Sequence, residues 1–245
     1  MFLQGRAPFA MRRTLAVALA MDESRIRFVT PHIGGGFGGK AELLRLDICA
    51  ALLSMKTGRP VKIVYDREES MTCTRTRYAM LSKIKTGVRK DGTIIAQHCR
   101  IFADGGAYNS TAPLVLTLAG YFAMLPYRIP NMFFEGYHVY TNKTVSGPMR
   151  GHGAPEIRFA VESQVDMIAA ALGIDPLEMR LRNAVHVGEN HPLGVTLRSC
   201  GFAESMTKAA EAIGWKNRQA FQGTGCGLGL GSSAFVSGVS NMSHS

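Results

Sequence analysis

The chain has 245 residues, of which 46% are hydrophobic, and this is enough for one large domain or two ordinary ones with a buried core. Its 28 Lys and Arg residues against 18 Asp and Glu residues give a net charge of +10, spread along the chain rather than gathered in one run. That distribution argues against a basic nucleic-acid-binding tail and favours anionic ligands or an acidic partner subunit.

The N-terminal part of the sequence predicts alternating helices and strands. Apolar residues at helical spacing predict a helix over residues 10–21, and alternation predicts a strand over residues 25–29. A mostly buried helix is expected over residues 41–55, ended by Gly58, and a short apolar strand over residues 61–65.

The middle of the sequence predicts a β-hairpin and a further strand. Segments 81–89 and 93–102 flank Asp91-Gly92, a dipeptide typical of tight hairpin turns. Residues 133–140 have the pattern of another strand. Residues 111–125 are apolar with a glycine inside, and their pattern assigns no element.

The C-terminal part predicts helices over residues 156–172 and 202–213 and, between them, a helix that starts with Asp175 as N-cap and Pro176 in its first turn. Residues 223–245 combine glycines with short apolar pieces and predict an unfinished strand. Strands and helices follow each other without regular βαβ spacing or an internal repeat. We therefore expect an α+β fold rather than a doubly wound sheet.

Two glycine-rich loops are the most unusual stretches. The first glycine loop, residues 31–40, has five glycines in six positions around Phe37, and the second glycine loop, residues 146–153, reads Ser-Gly-Pro-Met-Arg-Gly-His-Gly. Glycine is placed where the backbone needs positive φ or a close approach. The first loop looks like a phosphate loop, but the Walker pattern requires Ser or Thr after the Lys, where Ala41 stands, and the dinucleotide fingerprint lacks its later acidic residue. A plain structural turn is the alternative.

Arg150 and His152 each have an ordinary and a functional interpretation. Arginine usually lies at the surface, but Arg150 in a glycine-rich loop is placed to bind phosphate or an oxyanion through its planar guanidinium. His152 fits a general acid or base, although a lone histidine more often packs or hydrogen-bonds. Gln4 fits an ordinary surface position.

Together the two loops resemble the molybdopterin-binding subunit of the xanthine dehydrogenase and aldehyde oxidase family of molybdenum hydroxylases. The motifs are Gly-Gly-Gly-Phe-Gly-Gly-Lys and, far downstream, Met-Arg-Gly-His-Gly-Ala-Pro-Glu. The likeness continues in the family's order through segments 91–94, 104–108, 127–131 and 175–183. The implied fold is a partial molybdopterin-binding domain over residues 1–245, with the first loop and a β-rich part over about 1–140 and the second loop and a helical part over about 141–245.

The resemblance implies a molybdenum ion held by the sulfurs of a pterin cofactor, with no direct protein ligand. The cytosine dinucleotide form of the cofactor is one option. Cofactor-binding roles are implied for Gln4, Gly36, Phe37, Gly38, Arg150 and Gly151. The molybdenum neighbours among them would be Gln4, Phe37 and Arg150.

The family reaction is hydroxylation of a carbon with oxygen from water, or the reverse dehydroxylation. The resemblance implies partner subunits or domains with 2Fe-2S clusters and FAD, a small-molecule substrate and no nucleic acid. The family's catalytic glutamate lies beyond the position of Ser245, so no catalytic residue is expected in this chain. We expect an internal fragment or one piece of a split subunit, inactive alone, with the rest of the molybdenum subunit as a further partner.

Departures from the family pattern argue against a purine substrate. Purine-oxidising members place Glu after the loop Lys, where Ala41 stands, and Arg at the position of Leu118, 32 residues before Arg150. His152 replaces their aromatic residue. A site built to hydrogen-bond its substrate discriminates through those bonds. The carbon monoxide branch has Cys where this chain has Gly151. An aldehyde, an N-heterocycle or an aromatic acyl-CoA fits better.

Two other function classes compete with this one. The chain fits a non-catalytic fragment or scaffold piece, and, less well, a nucleotide-binding regulatory module. Five widely spaced cysteines without a CxxC pair predict a reducing compartment rather than a disulfide scaffold or zinc site. With no signal-peptide pattern and no apolar run of about 18 residues, we expect a cytoplasmic protein without a membrane span.

Overall fold

The structure, a computed structural model, describes residues 1–5, 7–191, 194–221, 223 and 225–235. Its α-helices are α1 (Pro8–Ala18), α2 (Arg45–Thr57), α3 (Arg67–Cys73), α4 (Ala112–Met124), α5 (Ala154–Leu172), α6 (Pro176–Arg182) and α7 (Phe202–Ala212). Short 3-10 helices cover Glu23–Arg25 and Trp215–Phe221. The strands are β1 (Ala79–Val88), β2 (Ile94–Gly106), β3 (Asn131–Tyr140), β4 (Asn190–His191) and β5 (Val195–Thr196). Helices with a small mixed sheet confirm the α+β fold class.

The central sheet is built on the predicted hairpin. β1 and β2 pair antiparallel, and β3 pairs parallel with β2, which gives the order β1-β2-β3. At the hairpin turn, the Asp91 carboxylate accepts a hydrogen bond from the Thr93 amide at 2.9 Å, and Gly92 has a φ of +89°. Glycine adopts that conformation at little cost, and Asp stabilises the turn with its side chain. Because a parallel pair needs a long crossover, α4 connects β2 to β3.

The main hydrophobic core lies between this sheet and the helices α4 and α5. Ile157, Val161 and Val165 are four residues apart on α5 and all are buried there. Most of α4 is buried, including Phe122. Its sequence is apolar almost throughout, so no polar face marks it as a helix, and this explains why residues 111–125 could not be assigned.

A buried charged network joins α5, α6 and the segment that follows α7. Glu162 pairs with Arg158, and with Arg180 at 2.9 Å, while the fully buried Arg180 side chain also bonds Asp166 at 2.7 Å. The backbone amide of Ser232 donates at 2.8 Å to Oε2 of Glu162, the same oxygen that Arg180 contacts. Residues 225–235 are thus fixed against α5 by a hydrogen bond to a buried charge.

Two strand predictions in the N-terminal part are wrong. Residues 25–29 form no strand, because a single parallel bridge between Phe2 and Val29 is the only sheet pairing there among the described residues. Residues 61–65 alternate in burial as a strand does, yet no described segment pairs with them. An alternating pattern becomes a strand only where a neighbouring strand accepts its hydrogen bonds.

The second helix and the tail also differ from expectation. α2 begins at Arg45, not at residue 41, because the Asp47 carboxylate accepts the Leu44 amide at 2.7 Å and caps the helix there. It is not mostly buried, since Leu52 and Met55 are exposed. In the predicted tail strand, described residues 225–235 form none, and residues 236–245 lie outside the described residues. Across the part of the chain that is described, no helix has the length and apolarity to cross a membrane.

Candidate functional site

The two glycine loops lie directly against each other. The Arg150 backbone amide donates to the Phe37 carbonyl at 2.8 Å. A Cβ atom on Gly38 would lie 2.6 Å from the carbonyl carbon of Pro148, so only glycine permits this approach. The Arg150 guanidinium carbon lies 5.7 Å from the centre of the Phe37 ring, within reach of a cation–π interaction. Two motifs far apart in sequence therefore form one surface feature.

Left-handed backbone is concentrated in this feature. Phe37, Arg150 and His152 have φ values of 48°, 25° and 49°, and Ala20 is the only other non-glycine residue with positive φ in the described part of the chain. Each such residue costs on the order of 1–3 kcal/mol and persists only where its surroundings hold it. Strained residues of this kind cluster at binding sites and active sites. The geometry therefore marks the paired loops as the candidate site.

Asp104 at the end of β2 anchors the chain that enters the second loop. Its carboxylate accepts hydrogen bonds from Lys143 and Thr141, both at 2.5 Å, and its carbonyl accepts one from the Ser146 hydroxyl at 2.9 Å. The bond from Lys143, followed by that from Thr141, lowers the pKa of Asp104 to about 2. The carboxylate is therefore ionised at neutral pH and holds the loop by charge.

Glu42 stands just after the first loop and connects it to neighbouring segments. It accepts a hydrogen bond from the Ser110 hydroxyl at 2.6 Å and pairs with Arg75 at 2.9 Å. Tyr78 lies nearby, and burial, followed by the charge of Glu42, raises its pKa to about 12. Glu42 therefore fixes the segment after the first loop by a hydrogen bond and an ion pair, and not by apolar packing alone.

The groups that the loops expose can bind a planar anionic ligand. Phe37 is 60% exposed, Arg150 is exposed beside it, and glycine backbone lies around both. Backbone amides, a guanidinium and an aromatic ring are donors and a stacking surface for phosphate or oxyanion groups and flat rings. No three His, Cys, Asp or Glu side chains of the described residues are grouped to hold a metal ion. The donors present fit a ligand with anionic groups and flat rings.

Three of the remaining predicted residues, Gly36, Gly151 and Ala41, form backbone hydrogen bonds within or next to the two loops. Gly36 and Gly151 take part in the loop turns, where their carbonyls accept the amides of Gly39 and Ala154, both at 2.9 Å. Ala41 follows the first loop directly, and its amide donates to the Gly38 carbonyl at 3.3 Å.

His152, Gln4 and Leu118 complete the set. His152 is half-buried within the second loop. Gln4 lines a large cleft of about 1290 Å³ together with Lys40, and among the described residues no hydrogen bond joins Gln4 to either loop. Leu118 belongs to the main core, where its side chain is 8% exposed. The structure thus brings together Phe37, Gly38 and Arg150, while Gln4 shares a cleft with Lys40 of the first loop and Leu118 lies in the core.

One pair that supports the second loop was missed by the sequence. Arg77 donates to the Arg150 carbonyl at 3.1 Å and pairs with Glu156 at 3.0 Å. Glu156 is the last residue of the second motif, but Arg77 belongs to neither motif, and a pair 79 positions apart has no local signal. The acidic residue in the first turn of α5 gave no signal either, because the helix dipole alone favours a carboxylate there.

Known proteins match the chain over most of its length. The family model described as molybdopterin cofactor-binding domain matches residues 1–184. The nicotinate dehydrogenase large molybdopterin subunit of Eubacterium barkeri is 41% identical over 205 residues, or 83% of this chain and 48% of that protein. The xanthine dehydrogenase molybdenum-binding subunit of Escherichia coli O157:H7 is 37% identical over 214 residues, or 87% and 28%. The aldehyde oxidoreductase structure from Desulfovibrio gigas matches with a TM-score of 0.83 and 27% identity, over 90% of this chain and 24% of that one. The chain spans about half or less of the length of these relatives.

Proposed function

The chain belongs to the molybdopterin cofactor-binding family of xanthine dehydrogenases and aldehyde oxidoreductases, and we propose that its two glycine loops hold the molybdenum end of the cofactor in an oxidoreductase. The observation that carries this proposal is the hydrogen bond from the Arg150 amide to the Phe37 carbonyl at 2.8 Å. It joins the two family motifs at the point where the ring and the guanidinium are exposed.

Each loop residue has a role that follows from its contacts. Phe37 presents a ring face that packs against the cofactor and keeps water from it. Gly38 lets the loops close, and Gly36 and Gly151 keep the backbone free of side chains where a flat ligand approaches. Arg150 supplies a permanent positive charge and a planar set of donors for an anionic group. Gln4 is proposed as a further cofactor contact on the strength of the family likeness, and the cleft that it lines is also lined by Lys40 of the first loop.

When bound, the molybdenum pterin group supplies the redox chemistry that hydroxylates a carbon with oxygen from water, or reverses that reaction. The chain's own residues orient and shield that group. The general base is proposed to lie in the remainder of the molybdenum subunit. Residues 1–245 would form part of the domain, with its two portions meeting near residue 140.

The proposed substrate is not a purine but an aldehyde, an N-heterocycle or an aromatic acyl-CoA. Ala41, Leu118 and His152 are the proposed substrate-side positions, and the apolar Ala41 and Leu118 offer no hydrogen bonds to a purine. The relative with 41% identity is named for nicotinate, an N-heterocycle, and agrees with this choice. Other relatives are named for xanthine, so a direct comparison is needed. Turnover of xanthine as fast as that of the best aldehyde or heterocycle would reject the proposal.

The proposed partners are an iron–sulfur subunit and an FAD subunit, with 2Fe-2S clusters that carry electrons away from the molybdenum. The cytosine dinucleotide is one proposed form of the cofactor, and the proposed location is the cytoplasm. A non-catalytic scaffold is the competing function. It predicts the same fold but no bound molybdenum.

The test is metal and pterin analysis of the complex that co-purifies with this chain from its own host grown on molybdate. We expect molybdenum and pterin in equal amounts, close to one of each per chain, and co-purifying iron–sulfur and flavin proteins. A complex with neither molybdenum nor pterin would refute the proposed function. Arg150→Ala should lower turnover while the melting temperature stays unchanged.

A further inference from the structure

The segment Arg75-Thr76-Arg77, between α3 and β1, contacts the start and the middle of the second glycine loop and the residues after the first. The Thr76 carbonyl accepts the Gly147 amide at 2.9 Å, and Thr76 forms a parallel bridge with Ser146. Arg77 contacts the middle of the same loop at Arg150. We propose that this segment, termed the arginine splint, sets the position of the two cofactor loops, with Arg77 as a positioning residue for Arg150.

Arg77 fixes the strained part of the second loop. One terminal nitrogen of its guanidinium donates to the Arg150 carbonyl at 3.1 Å, and the other donates to Glu156 at 3.0 Å. Glu156 is in the first turn of α5, and its side chain is only 9% exposed, so it is a rigid anchor. The planar guanidinium holds the peptide after the left-handed Arg150 at a fixed distance from the start of α5. A single donor group could not serve both acceptors in this geometry.

Arg75 fixes the splint to the first loop. Its side chain is 11% exposed, and one terminal nitrogen contacts both the Leu43 carbonyl and the Glu42 carboxylate at 2.9 Å. A Cβ on Gly147 would lie 2.5 Å from the Arg75 side chain, so the loop backbone rests directly on it. Arg75 and Arg77 thus contact the segment after the first loop and the start and middle of the second. These contacts of Arg75 and Arg77 set the distance between the two glycine loops, independently of any ligand.

This positioning has a consequence for the ligand. The Arg150 amide and carbonyl are both engaged, the amide by Phe37 and the carbonyl by Arg77. The peptides on both sides of Arg150 are therefore held in place, while its side chain stays exposed. The inference rests on the proposed function, because the arginine splint is proposed to pre-organise the cofactor site.

The test compares Arg77→Met and Arg77→Lys with a matched control, Arg100→Met, in the complex that contains the chain. Arg100 forms a similar partly exposed ion pair with Glu135 at 2.8 Å, but on the central sheet. Hydrogen exchange of the Arg150 amide and molybdenum content are measured. Arg77→Met removes the charge-assisted hydrogen bond to the Arg150 carbonyl, so the second loop should open more often. Hydrogen exchange of the Arg150 amide should then be about tenfold faster or more, and molybdenum content should fall. Arg77→Lys should fall between, and exchange in β2 should not change.

The outcomes separate the splint from the cofactor role. Unchanged exchange of the Arg150 amide in Arg77→Met, or an equal rise in Arg100→Met, overturns the splint. Faster exchange in Arg77→Met, in a complex whose wild-type form contains molybdenum, supports it. Faster exchange in a complex whose wild-type form contains no molybdenum retains the splint as a structural element and overturns the cofactor role. The melting temperature checks that each variant folds.

Discussion

Replacing Gly38 by alanine tests whether the close approach of the two loops is essential. The added Cβ would lie 2.6 Å from the Pro148 carbonyl carbon and 3.0 Å from the Met149 nitrogen, and the φ of position 38 is +95°. The left-handed backbone costs an alanine about 1–2 kcal/mol, and the overpacking adds about 1–3 kcal/mol. The combined penalty is therefore about 2–5 kcal/mol.

The size of this penalty determines whether the contact between the two loops breaks. The hydrogen bond from the Arg150 amide to the Phe37 carbonyl contributes only about 0.5–1.5 kcal/mol, which is too little to keep the loops together against this penalty. We expect the loops to separate while the core stays folded. The Arg150 amide should then exchange hydrogen nearly as fast as an unprotected amide, and the complex should contain less molybdenum.

The control is Gly34→Ala in the same loop. Apart from its chain neighbours, no described residue has an atom within 4 Å of the Cβ position there, so this variant should keep both the amide protection and the molybdenum content. Hydrogen exchange read by mass spectrometry or NMR compares the two variants at one site. If Gly38→Ala protects the Arg150 amide as well as Gly34→Ala does, the close-approach argument is wrong.

Three further predictions concern the core, the loop anchor and the exposed guanidinium. Glu162→Ala leaves two buried arginines poorly paired and should cost about 3–5 kcal/mol in urea unfolding, whereas Glu204→Ala, in an exposed ion pair, should cost under about 1 kcal/mol. The pKa of Asp104 is lowered to about 2 from 3.8, so its stabilising effect is full above pH 3.8 and is lost as the pH falls toward 2. The stability difference between wild type and Asp104→Asn should therefore shrink over that range, and a difference independent of pH would contradict the ionised anchor. Arg150→Lys keeps the charge but not the planar donors and should recover only part of the turnover lost in Arg150→Ala, measured as kcat; full recovery would show that charge alone is enough.

Much of the fold was predictable where the local signal agrees with the tertiary contacts. Asp175 caps α6 with hydrogen bonds to the amides of Leu177 and Glu178, as its position before a proline indicates. The Asp91-Gly92 turn and the amphipathic α5 also lie where the sequence predicts them. In these cases the residues that form the element also carry its signal.

Other elements depend on partners that are distant in sequence. Residues 61–65 have the alternation of a strand, but pairing is decided by what lies beside them. α4 is a helix because the sheet and α5 bury it, and its composition alone does not distinguish a buried helix from a buried strand. Local patterns therefore identified apolar segments correctly, and they failed where burial on all sides removed the periodicity or where no partner strand lies beside an alternating segment.

The candidate site shows the same division. The glycine motifs and Arg150 were predictable, since positive φ and close approach restrict which residues can stand there. Arg77 was not, because its acceptors lie 73 and 79 positions away and any exposed arginine looks the same in sequence. Leu118 was aligned to a substrate-side position, and its place in the core makes it a packing residue whose substrate role stays a prediction.

The most direct test of the central claim is the position of molybdenum in a crystal of the complete enzyme that contains this chain. Anomalous diffraction at the molybdenum absorption edge locates the metal without reference to the protein density. The proposed function predicts one molybdenum peak between the two glycine loops, beside the Phe37 ring and the Arg150 side chain. A molybdenum peak remote from both loops, or no peak in an enzyme purified with its full set of subunits, would contradict it.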